Sequence, residues 1–498
     1  MINPKSKLLL LADKLAGILL ALALISLPVT SLPLLSRLAG GTQVAPPSLV
    51  FVGLAAAAWL PLYALAGGKL WRETRPFLAF VAVAILASLA AFFLPVNTYK
   101  GHTLLREQVE AAFTLVSAVA FYLVVTLWFR DEARLNRALR WLNWGGLAAL
   151  AWGLAQVAVI YLRGGDYPAW MTSLHDLLSV RPLTSNVFTM RATGLTLEPS
   201  WLAHQLNVLY LPLWLASSIA GHSAWKFRLW RLTAENFLLA GGLILLFFSF
   251  SRIGLLAFLL VAAYLVVQFT GRLAGRIVRR ARPGVEGVPS RRKWLELGVT
   301  AGLYAAYAVA AFGLVFAASR LDPRLARLFA MSRAPTSLFD LAAQLAFAER
   351  LVYWQAGWNI FAQHPLLGVG LGNAGFFFQA NLPYKAQALN EILSVTTVAA
   401  YLPNVKSIWV RLLAETGIIG FSLFVTWLYV LWLANRLLRR QQSSLLRAIG
   451  WMGALAVVAF LVEGFSVDSL ALPYIWVSLG LVTAAGALAR RQSAETQP

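Results

Sequence analysis

The sequence predicts an all-α polytopic integral membrane protein, and two observations lead to this fold class. First, the 498 residues are 59% hydrophobic and only 12% charged, with a mean hydropathy of +0.70. Soluble domains have about 25% charged residues, so this chain has too few charges to cover a surface in water. Second, apolar stretches of about 20 residues, the length of a helix that crosses a bilayer, recur along the whole chain.

Cysteine content and charge exclude several classes of function. The chain has no cysteine, which excludes disulfides and thiolate metal sites. Its net charge of +22 is spread over short clusters between apolar runs. A nucleic-acid-binding protein would gather its basic residues on one polar face. We therefore expect no nucleic-acid partner and attribute the clusters to membrane topology.

Ten apolar segments are directly recognisable as membrane-spanning helices. They cover residues 9–30, 48–67, 77–95, 109–129, 141–162, 198–220, 294–318, 414–435, 448–465 and 472–489. One further stretch, 236–269, would form a helix of about 51 Å, too long for one span, with Arg252 at its centre. Because an arginine at the centre of a span costs about 2.5–3.5 kcal/mol, we expect a hairpin that turns at Phe250, Ser251 and Arg252. The sequence thus predicts about twelve transmembrane helices.

The distribution of basic residues predicts the orientation of these helices. Twelve spans with both termini in the cytoplasm place 27 of the 42 lysines and arginines in cytoplasmic loops, in agreement with the positive-inside rule. In this orientation the hairpin turn that carries Arg252 faces the outer side. Because the two helices of the hairpin are short, we expect Arg252 to lie below the outer membrane surface. The same orientation predicts a long extracytoplasmic loop over residues 319–403.

Three parts of the chain follow from this topology. Residues 1–189 contain the first five helices and the first outer loop, residues 190–435 a core that includes the long loop, and residues 436–498 the last two helices. The cytoplasmic loops lack a glycine-rich phosphate loop, a nucleotide-binding βαβ pattern and an Asp-x-Asp pair, which argues against the use of ATP or a nucleotide sugar. Long loops in compact proteins are usually functional, so we expect the site on the outer face.

Two outer segments have marked patterns. Residues 338–362 are apolar and aromatic with a charged pair in the middle, which predicts one helix lying on the membrane surface. Pro365 ends this helix, and the four glycines that follow it allow a tight backbone path. In the other segment, Glu198 stands directly before Pro199. A proline at this place predicts the first turn of a helix.

Four motifs, in a fixed order, carry a resemblance to a known family. They are Arg191-x-x-Gly194 with Glu198-Pro199-Ser200, then Phe250-Ser251-Arg252-x-Gly254, then Arg350-x-x-x-Trp354 followed by His364-Pro365-Leu366-Leu367-Gly368-Val369-Gly370, and last Asn404 ahead of Leu413-Ala414-Glu415-x-Gly417-Ile418-Ile419-Gly420. These motifs extend over about residues 190–420. Together with the number of spans and the long outer loop, they make the chain resemble the O-antigen ligase and O-antigen polymerase family of bacterial membrane proteins.

The resemblance implies a glycosyltransferase of the cell inner (cytoplasmic) membrane with an outward-facing active site and a fold similar to that of multi-helix lipid-sugar glycosyltransferases. The implied reaction is a metal-independent, inverting transfer of a polyprenyl-pyrophosphate-linked oligosaccharide to an acceptor hydroxyl, without a cofactor. Expected partners are this lipid-linked glycan, membrane lipids and other polysaccharide-assembly membrane proteins. Ligases of the family carry a histidine before the asparagine of the last motif, and Pro403 stands there in this chain. With the Glu-Pro-Ser element, this departure favours polysaccharide polymerisation over ligation to a lipid core.

Candidate site residues follow from the chemistry that this reaction needs. Arginine suits the leaving pyrophosphate because its fork binds phosphate bidentately and stays charged, and the acceptor hydroxyl needs a group that takes its proton. The candidates for catalysis are Glu198, Arg252 and Arg350, and the candidates for pyrophosphate or glycan binding are Arg191, Lys406, Arg411, His204 and His364. No set of side chains has the spacing of metal ligands.

Several of these residues also have a plainer structural explanation, which the sequence leaves open. Glu198 at a helix start either accepts a proton, holds an arginine or compensates the helix dipole. Arg411 and Glu415 are four residues apart, which also fits an intrahelical ion pair. Lys406 also fits a contact with lipid headgroups, and Arg252 a side chain that extends to them.

A membrane transporter of a small solute or anion is the alternative class, because twelve helices with few buried charges also suit transport. Its sign in the sequence would be an internal repeat with a matching pair of interrupted helices in the two halves. The chain shows no such pair. A large loop on one side of the membrane favours catalysis at that surface.

Overall fold

The fold is given by a computed structural model, which describes residues 4–38, 40–96, 98–183, 190–281, 289–330 and 334–495. Helices dominate it. The first ten α-helices are α1 (Pro4–Ser26), α2 (Pro33–Leu38), α3 (Pro47–Leu65), α4 (Arg75–Ala90), α5 (Leu104–Trp128), α6 (Glu132–Leu162), α7 (Ala169–Leu178), α8 (Pro199–Gln205), α9 (Leu211–Ala220) and α10 (Ala234–Phe248). The other ten are α11 (Arg252–Ala281), α12 (Pro289–Leu321), α13 (Pro323–Ala326), α14 (Leu338–Gln344), α15 (Ala348–Gln363), α16 (Ala374–Phe378), α17 (Asn390–Thr397), α18 (Ile408–Leu438), α19 (Ser444–Glu463) and α20 (Tyr474–Glu495).

Shorter elements join these helices. Four are 3₁₀-helical turns, at Arg72–Thr74, Ala91–Phe93, Gln379–Asn381 and Tyr384–Ala388. A π-helical segment, Leu206–Tyr210, connects α8 to α9 without a break in the chain direction. The described residues contain one small antiparallel sheet, in which β1 (Arg228–Leu229) pairs with β2 (Leu232–Thr233).

The chain is a mostly helical, multi-pass membrane protein. Among the described residues, nine helical segments are long and apolar enough to cross a bilayer. They are α1, α3, α4 together with its two flanking 3₁₀ turns (Arg72–Phe93), α5, α6, α11, α12, α18 and α19. The other three predicted spans lie on the joined helices α8 and α9, on the 15-residue α10, and on α20, which ends in a polar segment. The number of about twelve spans and the cytoplasmic position of both termini stay predictions.

The core of the bundle lies around α19 and α20, which are largely enclosed by other helices. Large aromatic side chains fill the space between α4, α5, α18 and α20. The ring of Trp427 lies 4.9 Å from that of Phe77 and 5.6 Å from that of Trp476, and its indole N–H donates to the hydroxyl of Tyr122. In contrast, few residues of α12 are buried. An apolar helix with so little protein around it belongs at the lipid-facing edge of the bundle.

The predicted interruption at residues 250–252 is present. Helix α10 ends at Phe248 and α11 begins at Arg252. Phe250 between them has φ of 45° and is buried, an uncommon backbone conformation for a bulky residue. The hydroxyl of Ser251 accepts a hydrogen bond from the N–H of Gly254 and thereby caps the start of α11.

The prediction of a single surface helix over residues 338–362 is wrong. The structure has two helices there, α14 and α15, separated by a turn in which Ala346 has φ of 51°. Apolar periodicity continues across the turn, so the pattern contains no sign of it. The carbonyls exposed by the break have a tertiary partner far away in the sequence, Arg252, as shown below.

Two of the sequence motifs pack against each other through their backbones. The glycine-rich segment after His364 runs alongside α18 where that helix is kinked at Gly417. The N–H of Val369 donates to the carbonyl of Ala414, and the N–H of Ile418 donates to the carbonyl of Pro365. These two motifs therefore form a structural joint, whose close backbone approach requires residues without a Cβ.

Gly417→Ala is expected to destabilise the protein strongly. Gly417 has φ of 62° and ψ of −169°, a backbone region that is essentially restricted to glycine, where strain alone costs about 1–3 kcal/mol. An added Cβ would also collide with the backbone of Leu366. Thermal unfolding in detergent should show a lower midpoint for this variant. The matched control is Gly302→Ala in α12, where an added Cβ meets open space. An equal midpoint for the two variants would contradict the joint.

Candidate functional site

A cavity of about 680 Å³ brings together five separate parts of the chain. They are the loop before α8, the turn between α10 and α11, the end of α12 with α13, the α14–α15 turn, and the segment after α19. Its walls are mainly apolar, and leucines from α11, α13 and α14 contribute most of them. Its charged lining consists of Arg191, Arg252, Arg324, Arg350 and Glu198. Four of the predicted site residues thus share one cavity.

Arg252 bridges the start of α11 and the α14–α15 turn. Its Nη1 donates to the carbonyl of Leu345 at 2.5 Å and its Nη2 to the carbonyl of Ala346 at 2.9 Å. These carbonyls follow the last turn of α14, where the helix dipole is negative. The two bonds use two of the five N–H donors of a guanidinium. Arg252 therefore holds the turn in place and still has donors for a ligand.

Gly254, two residues after Arg252, allows α11 to lie close to α8. A Cβ added to Gly254 would lie only 2.5 Å from the Cβ of Ala203. This close approach places the start of α11, with Arg252, beside the start of α8, with Glu198 and Ser200. The Ser-Arg-x-Gly motif thus combines a charged group with the small residue that positions it.

Arg191 lies in the loop before α8 and contacts the end of α10. Its Nε donates to the carbonyl of Ser249 at 3.1 Å. Burial lowers the pKa of Arg191 to about 10, and the positive charge of Arg324 acts in the same direction. A guanidinium with this pKa remains charged at neutral pH. Arg191 is therefore a cation that an approaching anion would stabilise.

Arg324 is a cavity residue that the sequence did not reveal. It belongs to α13, and its Nη2 donates both to Asp322, at 2.7 Å, and to the carbonyl of Phe250, at 3.2 Å. Burial raises the pKa of Asp322, but hydrogen bonds from the Arg324 side chain and backbone and the charge of Arg324 outweigh it, so the pKa of Asp322 is lowered. The ionised Asp322 thus orients Arg324. The one signal in the sequence was Asp322-Pro323-Arg324 directly after a predicted span.

Arg324→Ala is expected to weaken binding of inorganic pyrophosphate, used as a probe of the cavity, by about tenfold or more, because a hydrogen bond between charged groups contributes about 1.5–3 kcal/mol. The measurement is the affinity of the purified protein for inorganic pyrophosphate. An unchanged affinity in Arg324→Ala would remove this residue from the anion-binding groups of the cavity.

Glu198 precedes the first turn of α8, and Pro199 is the first helical residue, as predicted. The Glu198 side chain makes no capping hydrogen bond. Instead, its Oε2 accepts from the hydroxyl of Ser200 at 3.2 Å, and its Oε1 lies 3.5 Å from Nη1 of Arg181. About one third of the side chain is exposed. Its carboxylate is therefore accessible from the cavity.

Arg350 in the first turn of α15 completes the charged lining. Its Nη1 donates to the carbonyl of Lys406 at 3.0 Å and to that of Ser466 at 3.3 Å. Ser466 follows α19 and lines the same cavity. Arg350 thus connects the α15 segment to the end of α19, much as Arg252 connects α11 to the α14–α15 turn.

The other four predicted binding residues lie outside the lining of this cavity. Lys406 lies over the ring of Tyr353, with 5.6 Å between Nζ and the ring centre. Arg411 forms the intrahelical ion pair, with 2.9 Å between its Nε and Oε2 of Glu415. His204 is buried inside the bundle, and the ring of His364 packs against Phe377. A role for these residues in binding stays a prediction.

The lining defines which ligand the cavity suits. The lining has four arginines and the carboxylate of Glu198, and Asp322 pairs with Arg324 beside it. Among these groups the positive charges outnumber the negative ones by two. Like charges in a largely apolar site repel each other strongly because water screens them little. A ligand with two or more negative charges relieves this repulsion, and the leucine walls suit an apolar chain attached to it. Within the described residues, no group of three or more His, Asp or Glu could hold a metal ion.

Comparison with known proteins agrees with the motifs. Residues 237–425 match the family model described as O-antigen ligase. The matched segment includes Arg252, Arg324, Arg350 and the joint at Gly417, and it begins after Arg191 and Glu198. A search of curated proteins found no match. This match confirms the resemblance of the chain, over residues 237–425, to the O-antigen ligase and polymerase family.

Proposed function

We propose that this protein transfers a glycan from a polyprenyl-pyrophosphate carrier to an acceptor hydroxyl at the extracytoplasmic face of the inner membrane, and that it extends a polysaccharide chain. The observation that carries the proposal is the convergence of Arg191, Arg252, Arg324 and Arg350 on one largely apolar cavity. The family match supports a ligase or polymerase activity. The absence of a histidine before Asn404 and the Glu-Pro-Ser motif favour polymerisation.

The arginines suit the pyrophosphate group. The pyrophosphate group has two linked phosphates. Arg191 and Arg324 donate to neighbouring carbonyls of the α10–α11 turn, and Arg252, at the start of α11, donates to the carbonyl of Leu345. Guanidinium groups form parallel hydrogen bonds with phosphate oxygens. The surplus of two positive charges matches a leaving group whose negative charge grows as the glycosidic bond breaks.

The apolar wall suits the polyprenyl chain. Leu255, Leu256 and Leu259 of α11, together with Val315 of α12, form one side of the cavity. Because few residues of α12 are buried, we expect this side to border the lipid phase. Burial of each CH₂ group contributes about 0.8 kcal/mol, so a long isoprenoid chain gains affinity here without any specific polar contact.

The proposed reaction assigns a role to each of these residues. The acceptor hydroxyl oxygen attacks the anomeric carbon, the bond from that carbon to the phosphate oxygen breaks, and polyprenyl pyrophosphate leaves with the bonding electron pair. Glu198 accepts the hydroxyl proton. The arginines stabilise the charge on the leaving oxygen. Attack from the side opposite the phosphate inverts the configuration of the anomeric carbon.

The test is an assay of the purified protein in lipid nanodiscs with an undecaprenyl-pyrophosphate oligosaccharide. Longer glycans on the lipid carrier are the expected product. The matched undecaprenyl-monophosphate oligosaccharide should be a poor donor, because it lacks one phosphate. Transfer to an added core lipid without chain extension would indicate a ligase instead. No transfer from several donors, together with anion uptake into proteoliposomes, would contradict the proposal and favour a transporter.

A further inference from the structure

A buried polar group lies within the helix bundle behind the cavity. It consists of His204 from α8, Asn207 from the π-helical segment and Glu463, the last residue of α19. The three side chains are 1%, 2% and 0% exposed. Ionisable residues at such positions in a membrane protein are costly and usually functional. None of the three lines the cavity, so direct contact with substrate does not explain them.

Asn207 is the centre of this group. Its Nδ2 donates to the carbonyl of Gly254 at 2.8 Å and to Oε1 of Glu463 at 2.7 Å. The Nδ1 of His204 lies 3.6 Å from Oε2 of Glu463. Neither of these two atoms has a hydrogen-bond partner among the described residues. The Asn207 amide therefore ties α11 to α19 inside the bundle.

Each of the two residues that accept a hydrogen bond from Asn207 lies close in the sequence to a residue that forms or holds a cavity arginine. Gly254 is two residues after Arg252, in the first turn of α11. Glu463 is three residues before Ser466, and the carbonyl of Ser466 accepts a hydrogen bond from Arg350. The N–H of Ser466 donates to the carbonyl of Glu463 at 2.8 Å, which closes the turn between them. The positions of Arg252 and Arg350 are thus connected through Asn207.

The π-helical segment supports a functional origin for this arrangement. Such segments are rare and occur frequently at functional sites, and this one contains Asn207. Its helix begins with Glu198 and Ser200 at the cavity. The same continuous run of helix thus presents the candidate base at one end and the Asn207 amide further along.

We propose that Asn207 and Glu463, assisted by His204, are positioning residues that set the separation of Arg252 and Arg350 across the cavity. The relevant property of Glu463 is its acceptor oxygen for Asn207. The test of this inference by glycan transfer rests on the proposed function. Displacement of a catalytic group by about 1 Å lowers a rate about 100-fold, so loss of the tie has a large expected effect.

The protein contains a matched control pair. Nδ2 of Asn143 donates to Oε1 of Glu235 at 3.0 Å, and both residues are fully buried. Their other hydrogen bonds are with Trp214 and the backbone of Ala224, and neither of these residues lines the cavity. An asparagine–glutamate pair of the same chemistry therefore stabilises the bundle without a connection to the arginines.

The first experiment measures glycan transfer. Asn207→Ala and Glu463→Leu are expected to lower kcat about 100-fold, whereas Glu463→Gln, which keeps an acceptor oxygen for Asn207, should stay within about threefold of wild type. Asn143→Ala should also remain close to wild type. If Glu463→Leu does not fold, Asn207→Ala decides, because it leaves Glu463 and His204 unchanged. Equal losses in Glu463→Gln and Asn207→Ala, or in Asn143→Ala and Asn207→Ala, would overturn the proposal.

The second experiment does not depend on catalysis. Because the chain has no cysteine, Leu260→Cys and Leu461→Cys can carry spin labels at two exposed positions of α11 and α19. Pulsed electron resonance should give a broader or shifted distance distribution when Asn207→Ala is added, and an unchanged one with Asn143→Ala. An unchanged distribution with Asn207→Ala would refute the positioning role. Absence of transfer by the wild-type protein would instead refute only the proposed function.

Discussion

Arg252→Ala is expected to lower the rate of glycan transfer about 10²–10³-fold, the usual effect of removing one preorganised donor from a developing negative charge. The substitution has two effects on the cavity. The cavity loses a cation, and the carbonyls of Leu345 and Ala346 lose their partner. The measurement is the steady-state rate with the undecaprenyl-pyrophosphate donor in nanodiscs.

Two further variants separate these consequences. Arg252→Lys keeps the charge but replaces the planar fork by a single ammonium group, so we expect an intermediate loss and retained inhibition by inorganic pyrophosphate. Arg163→Ala removes an exposed arginine beside Asp166 and should leave the rate unchanged. Wild-type activity in Arg252→Ala would contradict a role of Arg252 in stabilising the leaving group.

Glu198→Gln is expected to lower kcat about 10²–10⁴-fold with little change in the KM for the donor, because general-base catalysis typically contributes a factor of this size. The glutamine keeps the shape of the side chain and an acceptor for the Ser200 hydroxyl, but it cannot take a proton. The measurement is the steady-state kcat and KM of the two proteins with the undecaprenyl-pyrophosphate donor in nanodiscs.

The alternative role of Glu198 has its own control. The carboxylate lies 3.5 Å from Arg181, so it could act only by holding that arginine. Arg181→Ala would then lose as much activity as Glu198→Gln. We expect Arg181→Ala to stay close to the wild-type rate. A loss in Arg181→Ala equal to that in Glu198→Gln would contradict the assignment of Glu198 as the base.

The helices were largely predictable because hydropathy and helix starts are local properties of the chain. The start of α8 at Pro199 and the interruption before Arg252 both follow from a few neighbouring residues. The break between α14 and α15 was not predictable, because the groups that stabilise it are on a different helix. The kink at Gly417 is similar: a glycine in an apolar run does not indicate that another glycine-rich segment packs on it.

The candidate site was predictable residue by residue but not as a set. Arg191, Glu198, Arg252 and Arg350 were selected for their chemistry and their motifs, and all four line the cavity. Arg324 was missed because it lies in none of the motifs. Lys406, Arg411, His204 and His364 were selected by the same chemical criteria, and the structure gives each of them a different environment.

The sequence by itself determined that this chain is a helical membrane protein whose motifs resemble those of the O-antigen ligase and polymerase family, because apolar runs and short motifs consist of consecutive residues. Only the tertiary structure decided which charged residues meet. Five segments between residues 191 and 466 surround the cavity, and a buried asparagine joins two of them. Contacts between residues so far apart depend on how helices pack, and neither hydropathy nor spacing along the chain specifies that packing.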